Sequence, residues 1–243
     1  VRRSQRVELQ DAFVLHRRPY QNSSLLLEVY TPDFGRVGLV ARGARRAKSS
    51  WRGLLQPFTP LLLSWQGRGE LHTLIHAEEA QASLALHSQS LLCGFYLNEL
   101  LVRLSEREDP LPELFSLYHH ALLQLSENNL ETLEAVLRLF ELRLLSLLGY
   151  GLPLPEPELL RVGQRFGFDV ERGAVVALSE FEESDFPLSL RSVESLLSEP
   201  FVLPDECKLP IKRLLRTLLN QHLGSKPLQS RALFRFGFSG KRK

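Results

Sequence analysis

The chain has only two cysteines among its 243 residues, Cys93 and Cys207, and no CxxC pair. That excludes a disulfide framework and a four-cysteine zinc site, and it fits a reducing cytoplasm. Long apolar runs are missing too. Ala80–Asn98, the longest uncharged stretch of the first half, is interrupted by Gln81, Ser83, His87, Ser88, Gln89 and Ser90. It is too polar for hydrocarbon. The basic start VRRSQRVELQDAF has no apolar run behind it, so it does not read as a secretory signal. Catalytic signatures are also lacking: there is no GxxxxGK[ST], GxSxG or HExxH. His119 and His120 are adjacent, point apart on a helix and read as surface residues. Glu182, Glu183 and Asp185 read as a solvated loop, and Cys93 as a core residue. No metal, no cofactor and no enzymatic activity are expected.

Hydrophobic residues make up 44% of the chain and charged residues 24%, the balance of a folded soluble protein. Its small net charge of +2 hides a segregation. Residues 1–80 carry +5, residues 81–204 carry −11, and residues 205–243 carry +8. Two basic ends around an acidic middle point to a polyanionic partner for the ends.

The first part of the chain reads as β structure. VELQDAFVLHRR, SSLLLEVYTPDFGRVGLVARG and PFTPLLLSWQGRGELHTLIHAEEA supply about five strands, with turns at Pro32–Gly35 and Gly67–Gly69. Five short antiparallel strands suit an OB-fold, and an SH3-like barrel fits the count almost as well. ARGARRAKSSWRGLLQ between the strand pairs reads as a loop or one helical turn. From His87 the period becomes helical. Helices are expected from about His87 to a stop at Asp109-Pro110 and Pro112, from Glu113 to Leu125 and from Leu130 to Leu148. Asn128-Asn129 reads as the cap of the third, and Gly149-Tyr150-Gly151 as its stop. FGFDVERGAVVAL reads as a hairpin turned at Glu171–Gly173. SLRSVESLLS reads as a short helix, and PDECKLPIKRLLRTLLNQHLG as a longer one. The fold class is α+β: a barrel domain over 1–82, then a mostly helical domain over 83–243 with a small hairpin insertion.

The strongest chemical signal is Arg36, Arg42, Arg45, Arg46, Lys48 and Arg52: six cations in seventeen residues with no acid among them. Closely spaced cations suit a phosphate backbone, and Trp51 among them offers either a stacking face or a core anchor. A second basic element runs from Lys208, Lys212, Arg213 and Arg216 to Lys226, Arg231 and Arg235, the last two interleaved with Leu233, Phe234, Phe236 and Phe238. Here the aromatics read as inward and the cations as outward. The third helix carries a polar stripe of Glu131, Glu134, Arg138 and Glu141. Arg138 is either the exposed i, i+4 partner of Glu134 or a receptor for a peptide carboxylate.

The segments AFVLHRRPYQNSSLLLEVYTPDFGRVGLVARGAR, LLQPFTPLLLSWQGRGELHTL, GFYLNELL, RLFELRLLSLLGYG and GSKPLQSRALF closely resemble, in this order, the bacterial RecO recombination-mediator family. The similarity runs from about Ala12 to Phe238 and is loosest over Leu154–Cys207. It implies an OB-fold on a helical domain, binding of single- and double-stranded DNA, and annealing of complementary strands. It also implies work with RecR, in many bacteria with RecF, to let RecA filament on DNA coated by single-stranded DNA-binding protein. Arg36, Arg42 and Arg45 match the family's DNA-binding segment. Arg138 matches an arginine implicated in holding the acidic tail of single-stranded DNA-binding protein, with Leu142 and Leu145 as apolar neighbours. Some relatives hold zinc in the helical domain, where this chain has only Cys207 among the cysteines such a site needs. A nucleoid-associated cytoplasmic location follows. An interaction scaffold with only nonspecific nucleic-acid affinity is the competing reading.

Overall fold

A computed structural model describes residues 5–232. The first five strands are β1 (Gln5–Tyr20), β2 (Ser24–Thr31), β3 (Gly35–Ala41), β4 (Leu61–Gly67) and β5 (Leu71–Glu79). They close into a barrel in the order β1-β2-β3-β5-β4, with β3 and β5 parallel and the other pairs antiparallel. A five-stranded Greek-key barrel of this kind is the OB-fold. Closure depends on β1, which is long enough to serve two neighbours. Its first half pairs with β4 and its second half with β2, and irregular registers at Val7/Gln10 and Val14/His16 let it bend. Alternation then sends Leu25, Leu27 and Val29 of β2 and Val37, Leu39 and Ala41 of β3 into a core with Leu61, Leu63 and Trp65. The stretch between β3 and β4 holds one helical turn, α1 (Trp51–Leu54).

The helices that follow are α2 (Ser88–Leu104), α3 (Pro112–Ser126), α4 (Leu133–Leu147), α5 (Leu190–Leu197) and α6 (Asp205–Leu223). A small sheet in the order β7-β6-β8 lies between α4 and α5, formed by β6 (Arg165–Asp169), β7 (Ala174–Leu178) and β8 (Pro187–Ser189). The expected hairpin is therefore present with a third strand added. The chain packs as two compact units. Of the described residues, one comprises 5–128 and Pro227–Ala232; the other comprises Asn129–Lys226. Among the described residues no helix is long and apolar enough to cross a membrane.

In the first unit, Phe13 of β1 meets Phe115, Tyr118 and His119 of α3 at ring distances of 5.3–5.6 Å, and Tyr30 of β2 meets Phe115 at 6.3 Å. These contacts seat α3 on β1 and β2. His119 is half-buried rather than a surface residue; only His120 is exposed. The segment GFYLNELL of α2 forms the rest of the seam. A Cβ on Gly94 would lie 2.6–2.9 Å from Leu86 and Phe58, so only glycine allows this approach. Asn98 donates to the Leu15 carbonyl at 2.9 Å and accepts from the Tyr118 hydroxyl at 2.5 Å. Glu99 accepts from the Gln229 and Ser230 amides, each at 2.8 Å, and from the Ser230 hydroxyl. Its carboxylate thus caps the helical turn that begins at Gln229. Arg235 and the apolar Leu233, Phe234, Phe236 and Phe238 lie outside the described residues.

In the second unit α4 starts later than its apolar pattern predicts. Asn128 and Asn129 do not cap it. Asn129 sits in a preceding turn, accepting from the Glu131 amide, and Thr132 occupies the N-cap position. The far end matches expectation. Gly149 takes φ 83°, its amide donates to Ser146 O at 3.1 Å, and Tyr150 donates to Leu145 O at 2.8 Å. This is a Schellman stop, and it accounts for the glycine of LLGYG.

Candidate nucleic-acid interface

The loop after β3 runs as consecutive turns. Arg46 N donates to Gly43 O and Ser49 N to Arg46 O, both at 3.0 Å, while Arg45 N reaches Ser23 O at 2.8 Å. The last bond ties the loop to the β1–β2 turn. Ala44 and Leu55 are buried in the barrel core, and Trp51 and Leu54 pack partly buried against it. Trp51 therefore anchors the loop. With the apolar residues turned in, Arg42, Arg45, Arg46, Lys48 and Arg52 are all exposed. None of them forms an ion pair among the described residues.

Two further cations join this end of the barrel. Arg17 and Arg18 lie at the end of β1, paired with Leu27 and Leu26 of β2, and Leu25 and Leu26 pair in turn with Ala41 and Val40 of β3. Both arginines are exposed. Arg17 donates to the Leu55 carbonyl beyond α1 at 3.4 Å. Sequence proximity alone misses them, because they join the loop only through strand pairing. The HRRPY run ahead of the hairpin is the signal that finds them.

Arg36 is placed differently. It is half-buried in β3, and its guanidinium donates to Ser105 O at 2.9 and 3.2 Å and to Glu28 at 3.2 Å. Glu28 also holds Arg107. A main-chain bridge between Arg36 and Arg107 extends the same contact. Arg36 thus joins β2 and β3 to the end of α2, and its donors already have partners. Lys226 is exposed beyond α6, in the second unit, and Arg231 is half-buried in the first.

Arg138 is also not where the polar stripe puts it. It is 5% exposed and forms a 2.8 Å ion pair with Glu141, itself buried. The expected surface pair with Glu134 is absent: Glu134 lies 3.2 Å from Lys212 of α6 instead. Helix spacing permits both i+3 and i+4 partners, and the packing of α4 selects the inner one. Leu145 is core, while Leu142 is half-buried. Glu141 engages one terminal nitrogen of the guanidinium, while the buried Nε has no hydrogen-bond partner among the described residues.

A family model described as "Recombination protein O N terminal" matches residues 6–82, and one described as "Recombination protein O C terminal" matches residues 88–156. A protein from Nitrosococcus oceani called DNA repair protein RecO is 48% identical over 94% of this chain and 93% of its own length. Proteins of the same name from Alkalilimnicola ehrlichii and Coxiella burnetii are 46% and 45% identical, each over 95% of this chain and 92% and 99% of their own lengths. An OB-type barrel with a basic end, matched by both family models and by relatives over nearly its full length, makes this chain a member of the RecO family of DNA repair proteins.

Proposed function

We propose that the chain is a non-catalytic strand-handling protein of DNA repair. It holds single- and double-stranded DNA on the basic end of its barrel and anneals complementary strands. With RecR, and in some settings RecF, it lets RecA filament on DNA covered by single-stranded DNA-binding protein, and it resides with the nucleoid. One observation carries this reading: Arg17, Arg18, Arg42, Arg45, Arg46, Lys48 and Arg52 gather at one barrel end, exposed and without acidic counter-charge among the described residues. Guanidinium and ammonium groups in that arrangement suit phosphate oxygens and carry no base preference. Arg36 plays a structural part, holding the barrel to the end of α2. The acidic tail of single-stranded DNA-binding protein is the partner expected of the second unit, where Arg138 already pairs with the buried Glu141. The test is annealing of two labelled complementary strands by wild type and by Arg42→Ala/Arg45→Ala/Arg46→Ala. The variant is expected to lose most of the acceleration while melting like wild type. Full annealing by the variant contradicts the assignment.

A further inference from the structure

The second unit pairs its cations closely. Arg138 pairs with Glu141, Arg143 with Glu199, Arg172 with Asp169 and Arg191 with Glu206. On α6 itself Lys208 pairs with Asp205 at 2.5 Å and Lys212 with Glu134. Arg161 and Arg165 donate to main-chain carbonyls, and Lys226 has a partner as well. Two cations break this pattern. Arg213 and Arg216 of α6 are exposed and have no hydrogen-bond or ion-pair partner among the described residues. Three residues apart, they share a helix face and are separated by a rise of about 4.5 Å. After Glu206 the helix has no further acid to neutralise them.

We infer that Arg213 and Arg216 form a second polynucleotide contact, carried by the second unit, that holds the backbone of a second strand. The inference rests on the proposed reading that the chain binds DNA, and it deepens that reading by giving each unit its own phosphate site. Two adjacent guanidinium groups repel each other and add nothing to the packing of α6, whose buried side is Cys207, Ile211, Leu214, Leu215, Leu218 and Leu219. Each presents a planar fork that matches phosphate oxygens two at a time. A peptide partner needs several apolar anchors, and among the described residues of α6 Leu209 is the one large exposed apolar side chain. A chain with a phosphate site on each unit turns the meeting of two strands into an event on one molecule, which raises their effective concentration.

The experiment mixes the full chain with two non-complementary oligothymidylates, one carrying a donor dye and the other an acceptor, and reads energy transfer between them. Wild type is expected to give transfer. Arg213→Ala/Arg216→Ala is expected to lose most of it while keeping its affinity for one labelled strand within a factor of about two, because its barrel site is intact. Arg42→Ala/Arg45→Ala/Arg46→Ala is expected to lose affinity for a single strand, and unchanged affinity there counts against the barrel reading rather than against α6. Thermal melts check that each variant is folded. Full energy transfer by Arg213→Ala/Arg216→Ala overturns the inference. So does a variant that keeps full transfer but no longer binds an acidic peptide, which assigns the face to a peptide instead.

Discussion

His119 lies with its ring 5.3 Å from Phe13, and its buried Nε2 has no hydrogen-bond partner among the described residues. Burial is the main influence on its imidazole and holds the pKa below the ordinary histidine value; Asp11 opposes this and His120 adds to it. The folded state therefore resists a proton that the unfolded state accepts. Stability is full above the unfolded value of about 6.5 and declines as pH falls through it. Denaturant titrations of wild type and His119→Phe across that range are expected to diverge, with the variant showing the flatter dependence. Parallel curves contradict this. Arg138 makes a sharper case. Arg138→Ala leaves Glu141 buried without its cation, which costs about 3–5 kcal/mol. Arg138→Met with Glu141→Leu is expected to recover most of that loss, as seen in the denaturation midpoint. A mild Arg138→Ala places the pair at the surface after all. The sequence did not disclose this burial, since Glu134 and Glu141 both stand within helical reach of Arg138 and only the packing of α4 chooses between them.

Single elements show how far local pattern reaches. The strands of the barrel, the α4 stop at Gly149 and the loop after β3 follow from alternation, glycine and charge read along the chain. The strand β8 does not, because three residues are too few to show a period. Arg36 stands in a basic run, yet its partners Ser105 and Glu28 are 69 and 8 residues away. A cluster in sequence is not a cluster in space, and the same fact conceals Arg17 and Arg18. The clamp at Glu99 joins residues 130 and 131 apart in sequence, so the GFYLNELL and GSKPLQSRALF segments explain each other only once folded. Charge-assisted hydrogen bonds of this kind are worth about 1.5–3 kcal/mol. Glu99→Ala is expected to cost at least that much in chemical denaturation and to open cleavage near Pro227–Ala232 in limited proteolysis. An unchanged digestion pattern shows that the segment stays docked without the clamp.

The charge segregation read from composition acquires a location in the whole molecule. The basic first part becomes one end of a barrel, with its aromatic and aliphatic residues folded inward and its cations left outside. The acidic middle neutralises its own cations in ion pairs across the second unit. The largest groups of cations left without an ion pair among the described residues are the barrel end and one face of α6. The central claim is that the barrel end binds phosphate backbone, and the dependence of single-strand affinity on salt tests it most directly. Each phosphate contact to a single strand contributes about 0.7 to the slope of log affinity against log salt. Wild type is expected to fall steeply, and Arg42→Ala/Arg45→Ala/Arg46→Ala to be flatter by about 2 units, alike for every sequence tried. An unchanged slope in the triple variant contradicts the claim.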